Sequence, residues 1–276
     1  MIRHIALLLP VVVCLSGCGQ PAARQPSGQE ERAVNAIEAL GGRVYRPVVR
    51  VDLFRSRVTD RDLKVLKELK ALQELDLSHT QITDAGLKDL KELKGLQELG
   101  LAFTKITGTG LKELKELKGL RVLNLGFTQV TDAGLKGLKE IRGLQKLWLN
   151  DTQITDASLK DLKELQDLEL LWLYGTQITD SGLKDLKELK GLRGLWLGST
   201  QITDAGLKEL KELKGLRVLD LYRTPITDMG LKNLKEMKDL EMLGLHSTQI
   251  TDAGLKDLEQ ALPKTKIRPP NAIFSD

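Results

Sequence analysis

Leucines recur along most of the chain in one fixed spacing. In the stretch Leu72–Gly95, LQELDLSHTQITDAGLKDLKELKG, Leu75 and Leu77 alternate with Glu74, Asp76 and Ser78. That period of two predicts a short strand with one buried face. Further on, Leu87, Leu90 and Leu93 fall inward while Lys88, Asp89, Lys91 and Glu92 face water, which predicts a helix. Thr80, Thr104, Thr128, Thr152, Thr176, Thr200, Thr224 and Thr248 stand 24 residues apart without a slip, and Ser56 extends the series backwards. A strand and helix of this size cannot bury its leucines alone, so the units must stack on one another.

Each column of the repeat carries its own expectation. Thr occupies every position equivalent to Thr83, from Thr59 to Thr251, and Asp follows it everywhere except at Gly108. Either side chain can accept from the free N–H groups at a helix start. Gly95, Gly119, Gly143, Gly191 and Gly215 sit where the helix turns back and are expected at positive φ, with slight strain at the substitutes Asp167 and Asp239. Gly86 and its equivalents, with Ser158 as the exception, are expected to let the helix approach its neighbour closely. The Thr80 column is expected to be a buried hydroxyl ladder serving the backbone of adjacent turns. The Lys-rich helices, in which Lys alternates with Glu and Asp, read as a solvated outer face.

Leu72, Leu75, Leu77, Thr80 and Ile82 match the frame L-x-x-L-x-L-x-x-N-x-L with Thr in place of Asn. In this the sequence resembles the leucine-rich repeat family over roughly residues 48–268, about nine units. The resemblance implies an α/β solenoid, a horseshoe with a parallel sheet on the concave face and helices on the convex face. It also implies that the Thr ladder replaces the asparagine ladder of relatives. The segment ITD-x-GL, Ile82 to Leu87, resembles the subtype found in F-box adaptors and in many exported bacterial proteins. No F-box precedes the repeats, and the N-terminus argues against a ubiquitin-ligase role. Residues 30–47 read as a capping helix, with Ala33, Ile37 and Leu40 on one face and Gly41 as a left-handed stop, followed by strand from Val44 to Val51. Lys266 to Arg268 reads as a last strand. Pro269 and Pro270 open a tail, 269–276, that blunts the sheet edge.

The N-terminus is a different kind of sequence. Met1 to His4 is a short charged start and Ile5 to Val13 an apolar run broken by Pro10, too short to span a bilayer. Leu15-Ser16-Gly17-Cys18 resembles the lipobox of bacterial lipoproteins, which implies that residues 1–17 are a signal peptide lost together with Cys14. Cys18 then becomes an acylated N-terminus, tethered to a membrane by lipid. Residues 18–29, rich in Gln, Pro, Gly and Ala, read as the tether. The expected location is outside the cytoplasm, on the outer membrane where the source has one.

Composition narrows the function. The chain is 41% hydrophobic but only 4% aromatic, so its core is aliphatic. A net charge of +4 lacks the clustered basic footprint of a nucleic-acid binder. With three His and two Cys, metal sites, cofactor sites and catalytic triads have little to work with, and none is expected.

The few aromatics are placed unevenly. The outward position equivalent to Asp76 reads Asp52, Asp76, Gly100, Asn124, Trp148, Trp172, Trp196, Asp220, Gly244. The next outward position adds Phe54, Tyr174 and Tyr222, and the one after it Phe103 and Phe127. Eight of ten aromatic residues thus fall in three of the 24 columns, which predicts a contiguous concave aromatic platform for a ligand, either a protein or a glycan stacked on the tryptophans. Trp148, Trp172, Trp196, Tyr174, Tyr222, Phe103 and Phe127 are the candidate binding residues. Merely stabilising the sheet is the competing role for this strip. Asp52, Asp76, Glu74 and Glu98 form a concave acidic group that could hold a cation or act as acid and base, but Arg50 and Arg55 are near enough to neutralise it and nothing marks a nucleophile. His79 and His246 lie seven strands apart, about 33 Å, and cannot share a metal. The favoured reading is a non-enzymatic, membrane-tethered binding scaffold. The alternatives are a structural or adhesive envelope protein and, remotely, F-box-like substrate recognition or a hydrolase using the concave carboxylates.

The anchor is testable directly. Cys18→Ser is expected to block processing at that site and to abolish detergent-phase partitioning of the mature form; unchanged partitioning contradicts the lipid anchor.

Overall fold

The computed structural model describes residues 27–270. The expected signal peptide, Cys18, most of the tether and the last six residues lie outside the described range. The first helix, α1 (Gly28–Ala39), is capped by Ser27, whose hydroxyl accepts from the N–H of Glu30 at 3.1 Å. It thus takes in Gly28 and Gln29, which the sequence reading gave to the tether. Gly41 follows at φ +85.

Eleven strands form one sheet in chain order: β1 (Arg43–Tyr45), β2 (Arg50–Asp52), β3 (Glu74–Asp76), β4 (Glu98–Gly100), β5 (Val122–Asn124), β6 (Lys146–Trp148), β7 (Leu170–Trp172), β8 (Gly194–Trp196), β9 (Val218–Asp220), β10 (Met242–Gly244) and β11 (Lys266–Arg268). The β1–β2 pair is antiparallel and every later pair parallel. Each residue faces its equivalent one repeat on, so Leu75 pairs with Leu99 and Trp148 with Trp172. Behind the sheet the leucine columns merge into one continuous core.

Asp156–Leu162, Asp180–Leu186 and Asp252–Ala261 are α-helices, but several other outer segments are shorter or tighter. Asp62–Glu68, Leu111–Glu116 and Lys136–Glu140 are 3₁₀, and Leu87–Leu90 is a single α-turn. Leu111, Leu114, Leu117 and Leu120 recur every three residues and are buried, as are Leu159, Leu162, Leu165 and Leu168 behind an α-helix, so this spacing is compatible with either form.

The Thr-Asp pair works across repeats, not within one. Thr83 donates both its N–H (2.8 Å) and its hydroxyl (2.7 Å) to the carboxylate of Asp60, in the preceding repeat. The same clasp joins Asp84 to Thr107, Asp132 to Thr155, Asp156 to Thr179, Asp180 to Thr203, Asp204 to Thr227 and Asp228 to Thr251. Only the threonine caps its own helix, as Thr155 does by accepting from the N–H of Ala157. The clasp also explains the Gly86 column: a Cβ on Gly86 would lie 2.5 Å from Asp60 Oδ1. Ser158, the exception there, donates its hydroxyl to Asp132 instead. Gly108 breaks the series, and among the described hydrogen bonds Thr131 has no carboxylate partner. There the backbones close up, since a Cβ on Gly134 would meet the Cα of Gly108 at 2.6 Å.

Burial works to raise the pKa of Asp84, but hydrogen bonds from Thr107, Gly108 and Gly110 outweigh it and hold the carboxyl below its usual 3.8. Asp132 is held low in the same way through Ser158 and Thr155. A folded-state pKa below the unfolded value stabilises the fold above the unfolded pKa. That contribution is lost as pH falls through the depressed one.

Two expectations are corrected. The Thr80 column is buried, but each hydroxyl donates within its own repeat, Thr80 to Leu77 O and Thr152 to Leu149 O at 2.7 Å, so it closes a turn rather than bridging turns. The Gly95 column is not at positive φ, so Asp167 and Asp239 carry no backbone strain of that kind. Positive φ belongs instead to the His79 column: Arg55, His79, Phe103, Phe127, Asp151, Gly175, Ser199, Arg223 and Ser247. In that conformation the chain turns away from the strand while the N–H still reaches the next repeat, as in His79 N–H to Ala102 O at 2.8 Å and Phe127 N–H to Asn150 O at 2.7 Å. Non-glycine residues there sit in a left-handed region that costs roughly 1–2 kcal/mol each.

Thr152→Val keeps the volume but leaves Leu149 O without its hydroxyl donor, so a loss of about 1 to 3 kcal/mol is expected in denaturant unfolding. Lys160→Ala, on the exposed outer face, is expected to change stability by less than about 0.5 kcal/mol. Equal shifts of the two midpoints contradict this inward and outward assignment.

Candidate functional site

The outward faces of β2–β10 carry the candidate residues, and the register brings some of them together and separates others. Trp148, Trp172 and Trp196 are cross-strand neighbours, with ring centroids 4.1 and 4.2 Å apart and planes within 10° of parallel. They form a three-ring stack, each ring half-buried. Gly194 makes room for its end, since a Cβ there would lie 2.7 Å from the six-membered ring of Trp196.

Phe103 and Phe127 belong to a second stack on the rim of the sheet, where the left-handed column lies. His79 stacks on Phe103 at 4.1 Å and Phe103 on Phe127 at 4.2 Å, while Phe54 meets His79 edge-on at 5.0 Å. The Arg55 guanidinium covers Phe54 at 5.0 Å. Burial and the nearby Arg55 charge lower the pKa of His79 against the opposing pull of Asp76. Tyr174 and Tyr222 form a third group, 6.0 Å apart, with His246 stacked on Tyr222 at 5.4 Å. These tyrosines are two repeats apart and meet because Gly198 lies between them; a Cβ there would be 2.9 Å from the Tyr174 ring.

The expected single platform is therefore three separate stacks, and inside a stack the ring faces cover one another. A ligand laid over the sheet meets ring edges. The cause is the parallel in-register spacing of about 4.8 Å, which leaves identical side chains in one column no arrangement more compact than stacking.

The acidic group does local work. Asp52 and Asp76 accept the N–H groups of Phe54 and Ser78, both at 2.9 Å, and so end their strands; Asn124 does the same for Gly126 and Asp220 for Tyr222. Glu74 pairs with Arg50 at 3.6 Å. Burial, then the Glu74 charge, raises the pKa of Glu98. Among the described residues no group of three or more His, Cys, Asp or Glu could hold a metal ion.

Sequence reasoning missed two features. The column beside the tryptophans reads Val122, Lys146, Leu170, Gly194, Val218 and Met242, so half-exposed apolar residues there are interrupted by one lysine and one glycine. The 24-residue spacing marks these residues as clearly as it marks the tryptophans. His79 and His246, set aside as an impossible metal pair, are members of the ring stacks.

A leucine-rich repeat family model matches residues 70–91 and 120–139. No curated protein matches the chain. Among solved structures, the chain is similar to a leucine-rich repeat protein of Leptospira interrogans, at 23% identity and TM-score 0.53, over 75% of this chain and 62% of that one. It is also similar to internalin C2 of Listeria monocytogenes, at 25% identity and TM-score 0.55, over 91% of this chain and all of that one. The chain thus spans less than two thirds of the Leptospira protein. The fold is a leucine-rich repeat solenoid.

Proposed function

We propose that this chain is a non-enzymatic binding scaffold, displayed outside the cytoplasm on a lipid attached to Cys18, whose concave face recognises a protein. The observation that carries the reading is the half-buried Trp148–Trp172–Trp196 stack, with Leu170 and Val218 in the neighbouring column and Lys146 beside them. Tryptophan is over-represented among the residues that dominate interface energies, and a cluster of three partly exposed indoles on one face is typical of a surface that becomes covered. Leucine-rich repeat domains generally bind proteins.

A protein suits the stack better than a glycan. A sugar ring packs its C–H groups on the face of an aromatic ring, and within the stack those faces are taken at 4.1 and 4.2 Å. The edges that remain carry the positive part of the ring quadrupole and favour carbonyl oxygens and aliphatic groups, which a protein surface supplies. Catalysis has no support of comparable weight, because Asp52 and Asp76 are occupied in capping their strands.

The test is a pull-down from the native envelope followed by affinity measurement with the captured protein. Trp172→Ala is expected to weaken binding by at least about 2 kcal/mol, roughly 30-fold, while denaturant unfolding shows the domain still folded. Asp76→Ala, four strands away, is expected to matter less. If Trp172→Ala unfolds the domain while its folded remainder binds normally, the stack is structural and the reading fails.

A further inference from the structure

The rim stack ends asymmetrically. At one end Arg55 lays its guanidinium over Phe54. At the other, Phe127 has Phe103 on one face, and among the described residues no ring or guanidinium covers the opposite face. That open face looks along the rim toward the next residue of the left-handed column, Asp151.

Asp151 is unlike its neighbours in that column. Its carboxylate leans away from Phe127 into the space a side chain at Gly175 would fill, and Gly175 is the one glycine of the column. Burial raises its pKa, and no hydrogen bond or counter-charge offsets this. Beside it Asn150 is only 4% exposed and its side-chain oxygen has no hydrogen-bond partner; the Ser199 hydroxyl, beyond Gly175, has none either. Buried polar groups without partners are rare, and here one adjoins Asp151 in the chain and the other follows Gly175 in the column, while Asp151 itself is exposed.

We propose that this end of the rim is a docking site for an arginine side chain of a partner protein, its guanidinium stacked on the open face of Phe127 and donating to the Asp151 carboxylate. A guanidinium is planar and always charged. It stacks on aromatic faces and presents its N–H groups in a fork that matches a carboxylate. It would extend the ladder by one further step of about 4.8 Å, the strand spacing. The Arg55–Phe54 contact supplies the same cation-on-ring geometry at the opposite end. The site is separate from the tryptophan stack and does not depend on it.

The probe is N-acetyl-L-argininamide, titrated against the folded repeat protein while the Gly175 amide, the Asn150 side-chain amide and the Phe127 ring are followed by NMR. Saturable shifts at all three are expected. N-acetyl-L-citrullinamide, the uncharged analogue, and N-acetyl-L-lysinamide, charged but not planar, are each expected to bind at least about tenfold more weakly. Asp151→Asn is expected to weaken argininamide binding to a similar degree, and Trp172→Ala to leave it unchanged, which separates this site from the concave one. Equal affinity for citrullinamide, equal affinity for lysinamide, an unaffected Asp151→Asn, or no saturable shift overturns the proposal.

Discussion

Except at Gly108, each repeat is fixed to the next by a carboxylate that reaches across the boundary between them. Asp60 and its equivalents accept both the N–H and the hydroxyl of the following repeat's threonine, and the glycine three residues beyond that threonine exists because the carboxylate fills its side-chain space. The leucine core alone would tolerate sliding, since one leucine resembles another. The clasp sets the register residue by residue, and the parallel ladder carries it across the sheet.

Strict register has a consequence for the exposed face. Residues of one column become neighbours at the strand spacing, so any run of aromatic residues in consecutive repeats must stack. Trp148, Trp172 and Trp196 do so, and so do Phe103 and Phe127 in a column whose backbone is left-handed throughout. Large side chains persist in that column although glycine would avoid the strain, and ring stacking of about 0.5–1.5 kcal/mol per pair offsets part of the cost. The surface is thus a set of ladders, with the indole stack in the middle and Arg55 capping one rim end.

Much of this was legible in the chain itself. The alternation around Leu75 and Leu77 gave the strands, the Thr80 series gave the period, and the period assigned the tryptophans to one outward column. What stayed hidden depends on direction or on backbone angle. Asp84 follows Thr83 in sequence, so it reads as a cap of its own helix, whereas it serves Thr107 in the next repeat. Gly95 sits where a turn is needed and invites a positive φ, but the turn that adopts it lies at His79, where the residue types give no warning. The tryptophan column was found, while the mutual covering of its ring faces required the side-chain geometry.

The central claim is that fixed register builds the tryptophan stack, and far-ultraviolet circular dichroism tests it through exciton coupling between neighbouring indoles. Trp148 and Trp196 touch only through Trp172. The account predicts a two-signed exciton band in the folded protein that is largely lost on Trp172→Phe but retained in part on Trp196→Phe, where one pair survives. A band absent from the folded wild type, or indifferent to Trp172→Phe, would contradict it.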